Sequence, residues 1–216
     1  MREIVVLSFV SLDGIMQAPG GPEEDETGSF KYGGWTFYYF DDFLGKVMGE
    51  QMGHDFDLLL GRKTYEIFAS YWPYADSEKE PIAAAINKAN KYSVSKTLSN
   101  YNWENSFFIN KNVVEEIKKL KESIGPEIQV HGSGNLIQTL LKNNLVDELW
   151  LKTFPVTLGS GKRLFAEGTT AAGFELFDSE TSPSGVIVSN YRRGGDVRTG
   201  SFAAAKPNEA EIKHQK

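Results

Sequence analysis

The run Glu127–Leu141, EIQVHGSGNLIQTLL, constrains the fold more than any other stretch of the chain. Glu127 to Val130 has the make-up of a short strand, and Gly132-Ser133-Gly134 is a turn with almost no side-chain bulk. From Asn135 onward Leu136, Ile137, Leu140 and Leu141 recur at helical spacing and form one apolar stripe. A strand that passes through glycines straight into a helix presents free backbone N–H groups at a positive helix end, which suits a phosphate. The same glycines also serve a chain that only needs to turn sharply. Both uses stay open on this stretch alone.

The remaining chain alternates strand and helix. Within Glu3–Ser11, Ile4, Val5, Val6, Leu7, Phe9 and Val10 leave little room for a polar face, as in a central strand covered on both faces. Its early arginine and apolar residues could pass for a signal peptide, but Ser8, Ser11 and Asp13 interrupt the run and no small-residue cleavage site follows. Residues 17–34 carry Gly20, Gly21, Gly28, Gly33, Gly34, two prolines and four acids, the composition of a lid or binding loop. The spacing of Phe40, Phe43, Leu44, Val47 and Met48 predicts a helix over 36–52. A strand at 57–60 leads into a helix through GRKTYE, and 81–90 is a helix with Pro81 near its start. Short strands are expected at 91–94 and 106–109, and an amphipathic helix at 113–123, ended by Gly125-Pro126. Three more strands, 147–155, 174–180 and 185–192, close the pattern, the last two as a hairpin across Ser182–Gly185. This order predicts one α/β domain over 1–202, with a mainly parallel sheet, an antiparallel edge and helices on both faces. Residues 203–216 are expected to be a flexible tail.

Composition excludes several classes. The formal net charge of -6 argues against nucleic acid as a partner, since its binders present a basic face. Cysteine is absent and the three histidines, His54, His131 and His214, are scattered, so neither a disulfide framework nor a metal site is expected. No run approaches the roughly 20 apolar residues of a membrane span. A cytoplasmic location without membrane contact is the expectation.

Three strand ends share one chemistry. Gly61-Arg62-Lys63-Thr64 starts a helix with two cations in its first turn, where they oppose the macrodipole unless an anion lies between. Ser95, Lys96 and Thr97 follow the strand at 91–94, and Gly132-Ser133-Gly134 follows that at 127–130. Ligands of parallel sheets bind outside the carboxyl ends of strands, so one long polyphosphate could touch all three. It is not a standard dinucleotide fingerprint: Ile137 stands where the third small residue belongs, and Asp147 and Glu148 open a strand too early. LGSGKR, residues 158–163, lacks the first P-loop glycine (Val156) and the hydroxyl after the lysine (Arg163). Lys162 and Arg163 could still hold an anionic group, or form a solvated basic turn.

VLSFVSLDGIM, LLLGRKTYE, VHGSGNLIQTLL and DELWLKTFPVTLGSGKRLF, in this order, resemble the dihydrofolate-reductase-like superfamily. They are most similar to the reductase domain of the bifunctional riboflavin-biosynthesis deaminase-reductase and its stand-alone relatives. The resemblance covers about residues 1–202 and implies an eight-stranded, mainly parallel sheet with an antiparallel C-terminal strand. It implies NADPH as cofactor and a homodimer. Gly61, Arg62, Lys63 and Thr64 would meet the cofactor phosphates, Ser95 and Lys96 the adenosine 2′-phosphate, and Gly132, Ser133, Gly134, Asn135 and Leu136 the pyrophosphate and nicotinamide ribose. Phe9, Val10 and Ile15 would flank the nicotinamide. On the substrate side it implies Asp13, which an ordinary Asp-Gly turn would also explain. Asp41 or Asp42 would match the first-helix carboxylate of dihydrofolate reductases, or simply suit the start of a helix. Trp35, Lys152 and Phe154 would be pocket walls. The implied activity is that of 5-amino-6-(5-phosphoribosylamino)uracil reductase, hydride transfer to a pyrimidine or pterin-like substrate. Dihydrofolate reductase proper and a non-catalytic nucleotide-binding protein are the alternatives.

Overall fold

In the computed structural model, residues 1–76, 78–80, 82–98 and 103–202 are described. Pro81 and the tail expected at 203–216 lie outside them. Eight strands form one sheet: β1 Ile4–Ser11, β2 Phe56–Gly61, β3 Lys91–Val94, β4 Ser106–Ile109, β5 Glu127–Val130, β6 Glu148–Phe154, β7 Gly173–Thr181 and β8 Ile187–Gly195. Their order is β4-β3-β2-β5-β1-β6-β8-β7, parallel from β4 to β6 and antiparallel at both contacts of β8. The helices are α1 Asp42–Gln51, α2 Arg62–Tyr71, α3 Ile82–Lys88, α4 Val113–Glu122 and α5 Gly134–Lys142.

Strand alternation sorts the side chains onto two faces. On one, Ile4, Val6, Val10, Ile128, Val130, Leu149 and Leu151 meet α5 through Leu136, Ile137, Leu140 and Leu141, with Ile117 of α4 beside them. Burial of each of these large side chains contributes about 1.5–3 kcal/mol. The other face holds two apolar clusters. Phe56, Leu58 and Leu60 pack with Tyr65 of α2 and Ile86 of α3. Phe154 and Val188 pack with Leu44 and Val47 of α1, and with Trp35. Between these clusters the same face carries Gln129, His131 and Lys152. In register, β1 sets Val5 beside Gln129 and Phe9 beside Lys152.

One expected boundary is corrected. The helix expected over 36–52 is a 3-10 turn at Phe37–Tyr39 followed by α1 from Asp42. Asp41 stands between them with extended backbone and accepts the Leu44 N–H at 3.0 Å, which makes it the N-cap. Its second carboxylate oxygen accepts the N–H of Ser184 in the β7–β8 turn, 3.1 Å away. Among the described residues no helix is long and apolar enough to cross a membrane.

Candidate active site

The carboxyl ends of β2, β3 and β5 converge on an open cleft. α2 begins at Gly61 and α5 at Ser133, both N-caps extended and neither making a side-chain cap hydrogen bond. Neither first turn holds an acid. Two positive helix ends with unclaimed N–H groups therefore open into the same space. Close approach of the two turns needs glycine. Gly61 N–H donates to Gly132 O at 3.1 Å, and a Cβ on Gly61 would collide with the Ser133 hydroxyl. At Gly132, φ is +147° and a Cβ would sit 2.7 Å from Thr64 Oγ1. The Gly132–Ser133 peptide is cis.

Arg62, Lys63 and Lys96 line this cleft, and none forms an ion pair among the described residues. Arg62 reaches only Thr97 Oγ1, at 3.5 Å. Ser95 is buried, and its hydroxyl oxygen accepts the N–H groups of Thr97 and Leu98 at 3.2 and 2.8 Å, which holds the β3 loop open around the cleft. The arrangement gathers three basic side chains, two helix ends and a hydroxyl around one cleft.

Lys63 and Ser133 also line a second, neighbouring cavity of about 270 Å³. Met48 of α1 and Met52 just after it, Ile67 and Phe68 of α2, Trp72, Ile82 and Ile86 make apolar walls. Leu7, Ser8, Phe9, His131 and Lys152 line it from the sheet, and Met16–Gly20 with Glu24 and Asp25 line it from the loop. That loop is tied down. Gln17 donates to Asp25 O and Thr27 O at 2.9 and 2.8 Å, and accepts from Lys162 N at 3.0 Å. Lys162 Nζ pairs with the buried Asp25 at 2.5 Å. Burial pushes the Asp25 carboxyl up, but the bonds from Lys162 and Thr27 outweigh it and hold the group below its ordinary value. Burial raises Glu24, against the N–H groups of Gly20 and Gly21 that it accepts.

Lys152 is 1% exposed. Its ammonium donates to Gln51 Oε1, and burial lowers its pKa to about 7. His131, beside it, is lowered to about 3 by burial and then by the Lys152 charge, so its ring is neutral. Gln129 Nε2 donates to Gln51 O at 2.8 Å, which leaves Oε1 as the acceptor facing His131 Nε2 at 3.2 Å. His131 therefore carries its proton on Nε2 and keeps Nδ1 as an acceptor.

Of the residues expected from sequence, Gly61, Arg62, Lys63, Thr64, Ser95, Lys96, Gly132, Ser133, Gly134, Asn135 and Leu136 all line the cleft or the cavity, as do Phe9 and Lys152. The structure places the other expected residues as follows. Val10 points to the opposite face from Phe9, into the α5 core, because neighbours on a strand alternate. Ile15 is fully buried with Phe30 and Leu158. Trp35 and Phe154 pack edge to face, 5.2 Å between centroids, in the core under α1, and Trp35 Nε1 donates to Gln17 O. Asp13 turns its carboxylate to the Leu158 and Gly159 N–H groups, at 3.1 and 2.7 Å, and to the Ser11 hydroxyl at 2.5 Å. The Ser11 bond, with these amides, lowers its pKa to about 2 against burial. Asp42 lies exposed in the first turn of α1, where the helix dipole favours it. Of Lys162 and Arg163, left open between an anion grip and a basic turn, Lys162 lines the cavity and pairs with Asp25, and Arg163 donates to Asp13 O. His131, Met48, Met52 and Gln51 escaped sequence reading. The i, i+2 pair Gln129 and His131 on a short buried strand was the available signal.

Residues 2–188 match the model of the RibD C-terminal domain. Two uncharacterized proteins of Bacillus subtilis (strain 168) are similar over most of their length. YyaP is 30% identical over 201 residues, 90% of this chain and 96% of YyaP. YwjB is 28% identical over 183 residues, 81% and 89% of the two chains. Among solved structures, a putative riboflavin biosynthesis protein from Shewanella sp. PV-4 superposes with a TM-score of 0.63 at 21% identity, covering 89% of this chain and 99% of its own. A pyrimidine reductase-like protein of Corynebacterium diphtheriae gives 0.59 at 13% identity, covering 92% and 93%. Dihydrofolate reductase from Enterococcus faecalis, complexed with NADP(H) and RAB-propyl, gives 0.58 at 15% identity, covering 89% and 96%.

Proposed function

The chain belongs to the RibD C-terminal domain family, and on that premise we propose that it is an NADPH-dependent reductase acting on a pyrimidine or pterin-like substrate. The observation that carries this reading is that the basic cleft and the apolar cavity adjoin, with Lys63 and Ser133 lining both. Arg62, Lys63 and Lys96 have no ion-pair partner among the described residues, yet Arg62 and Lys63 stand in the uncapped first turn of α2 and Lys96 lines the same cleft after β3. Cations there weaken a helix unless an anion offsets them. A pyrophosphate would be held by the N–H groups at the starts of α2 and α5, and a 2′-phosphate by Ser95, Lys96 and Arg62. The nicotinamide end would then enter the cavity between Phe9, Met16 and Gly132–Gly134. The enterococcal reductase, which shares the fold, was solved with the same cofactor. Bound NADPH supplies the hydride. The chain orients the reacting groups, excludes water with Met48, Met52 and Phe68, and presents Lys152 and His131 to the substrate.

Reduction of a phosphoribosylaminouracil fits better than dihydrofolate reductase proper. The latter reading asks for a carboxylate from the first helix in the cavity, and α1 sends Met48 and Met52 there while Asp41 caps the helix and Asp42 is exposed. The third reading, nucleotide binding without turnover, is separated from both by one assay. NADPH and NADH are titrated by the change in nicotinamide fluorescence, and oxidation is then followed at saturating NADPH with dihydrofolate or the aminouracil phosphate. Micromolar binding of NADPH with oxidation by the aminouracil supports the proposal, and the absence of NADPH binding refutes it. The homodimer implied by the resemblance would use β7, an edge of the sheet on which Leu176 and Phe177 are half exposed.

A further inference from the structure

We propose that Lys152 is the proton donor of the reduction, delivering its proton to the substrate nitrogen or oxygen whose neighbouring carbon receives the hydride. This rests on the reductase reading above. Three features of the cavity carry it.

The first is the lysine's isolation. Lys152 is 1% exposed, and among the described residues it is in no ion pair and Gln51 Oε1 is its one hydrogen-bond partner. An ammonium has three N–H donors, so two remain for a ligand. A buried cation without a carboxylate is costly in a merely structural role. Lys91, also fully buried, shows the contrast: it does not line the cavity, donates to the Ile86 and Asn87 carbonyls and sits over the Trp103 ring.

The second is that the partner is fixed. Gln51 Nε2 faces Asn190 Oδ1 at 3.5 Å and Gln51 O accepts from Gln129, so Oε1 is the end turned to Lys152. A neutral amide positions the amine without trapping its proton.

The third is the lack of competitors. Asp13, Asp41 and Asp42 bind backbone or solvent elsewhere. Across the cavity Asp25 is paired with Lys162, Glu24 accepts from Gly20 and Gly21, and Lys63 belongs to the anion cleft. His131 is neutral, and its Nε2–H is committed to Gln129. Around Lys152 itself, α1 contributes Gln51, β5 His131 and Gln129, β1 Phe9, and β8 Asn190 through Gln51. A pKa of about 7 suits an acid that must give up its proton near neutrality.

In the step itself, hydride from the reduced nicotinamide forms a C–H bond at the substrate carbon, and the nicotinamide is oxidised. The π pair of the C=N or C=O bond moves to the heteroatom. That atom takes the proton as the Lys152 N–H bond breaks. The neutral amine regains a proton from water once product has left.

The test uses the full chain and the variants Lys152→Met and Lys152→Gln. NADPH titration comes first, and equal affinity in all three proteins is expected. Competitive acetylation of the free protein across pH 5 to 10, read by mass spectrometry, should place half-reactivity of Lys152 near pH 7, about three units below surface lysines. With NADPH and the aminouracil phosphate, kcat of the wild type should fall as pH rises through 7. Both variants should lose about 100-fold or more in kcat with folding intact, in the range of lost general-acid catalysis. Half-reactivity of Lys152 above pH 9, a variant within a few fold of wild type, or NADPH binding without reduction of the aminouracil would each overturn the proposal. Failure of the wild type to bind NADPH would overturn the cofactor reading beneath it.

Discussion

At the scale of single residues the division of labour follows charge and alternation. Arg62 and Lys96 have few obligations within the fold, so their removal should be felt by the ligand and little by stability. Each charge-assisted bond to a phosphate contributes about 1.5–3 kcal/mol, so Lys96→Ala should weaken NADPH about 10- to 100-fold and leave NADH almost unchanged. Calorimetric titration with both nucleotides checks this, and equal losses for the two would assign Lys96 elsewhere. Asp13 belongs to the fold. Its lowered carboxyl holds the 158–159 loop, a contribution present above the unfolded value near 4 and lost as pH falls toward about 2. Asp13→Asn should therefore lower the melting temperature at pH 6, with the gap from wild type closing as pH nears 2. The glycines and cations of the cleft were legible in sequence because their types make little sense in turns without an anion. That Val10 faces the α5 core was hidden, because a strand buried on both faces does not show which residues point inward; the packing of Trp35 and Phe154 was hidden because an aromatic pocket wall and an aromatic core share one composition.

At the scale of elements, α1 shows the limit of periodicity. Met48 and Met52 continue the apolar stripe of Leu44 and Val47, yet the first pair lines the cavity and the second packs in the core. The helix start was misplaced by six residues because the cap bond of Asp41 and its tie to Ser184 are tertiary. α5 was legible throughout, and Leu140→Ala, which opens a void in its fully buried stripe, should cost about 2–5 kcal/mol in denaturant unfolding. The 17–34 loop was expected to close as a lid, and its acids gave no hint of the Asp25–Lys162 pair that holds it across the cavity. We expect Lys162→Ala to free it: proteolysis within 17–34 should quicken several fold, and NADPH should slow it again if the loop covers the nicotinamide. An unchanged rate with and without NADPH would remove the lid role.

At the scale of the molecule, the alternating order of strands and helices was enough to foresee a mainly parallel sheet with an antiparallel end, because parallel neighbours need crossovers and a hairpin does not. The insertion of β8 between β6 and β7 was not visible, since hairpin strands leave open which of them meets the sheet. The site follows from that topology: three parallel strand ends and two helix starts face one cleft, and the polar residues Gln129, His131 and Lys152 lie on the sheet face beneath the cavity beside it. Assembly through the β7 edge would give a homodimer, and a molar mass near 48 kDa by light scattering, twice the 24.1 kDa chain, is its expected signature. A mass of one chain at micromolar concentration would contradict it. The central claim, that this cleft is an NADPH site, is met most directly by a crystal structure at saturating NADPH. Density is expected for the pyrophosphate between the starts of α2 and α5, the 2′-phosphate against Ser95, Lys96 and Arg62, and the nicotinamide beside Phe9. An empty cleft, or a nucleotide bound elsewhere, would contradict it.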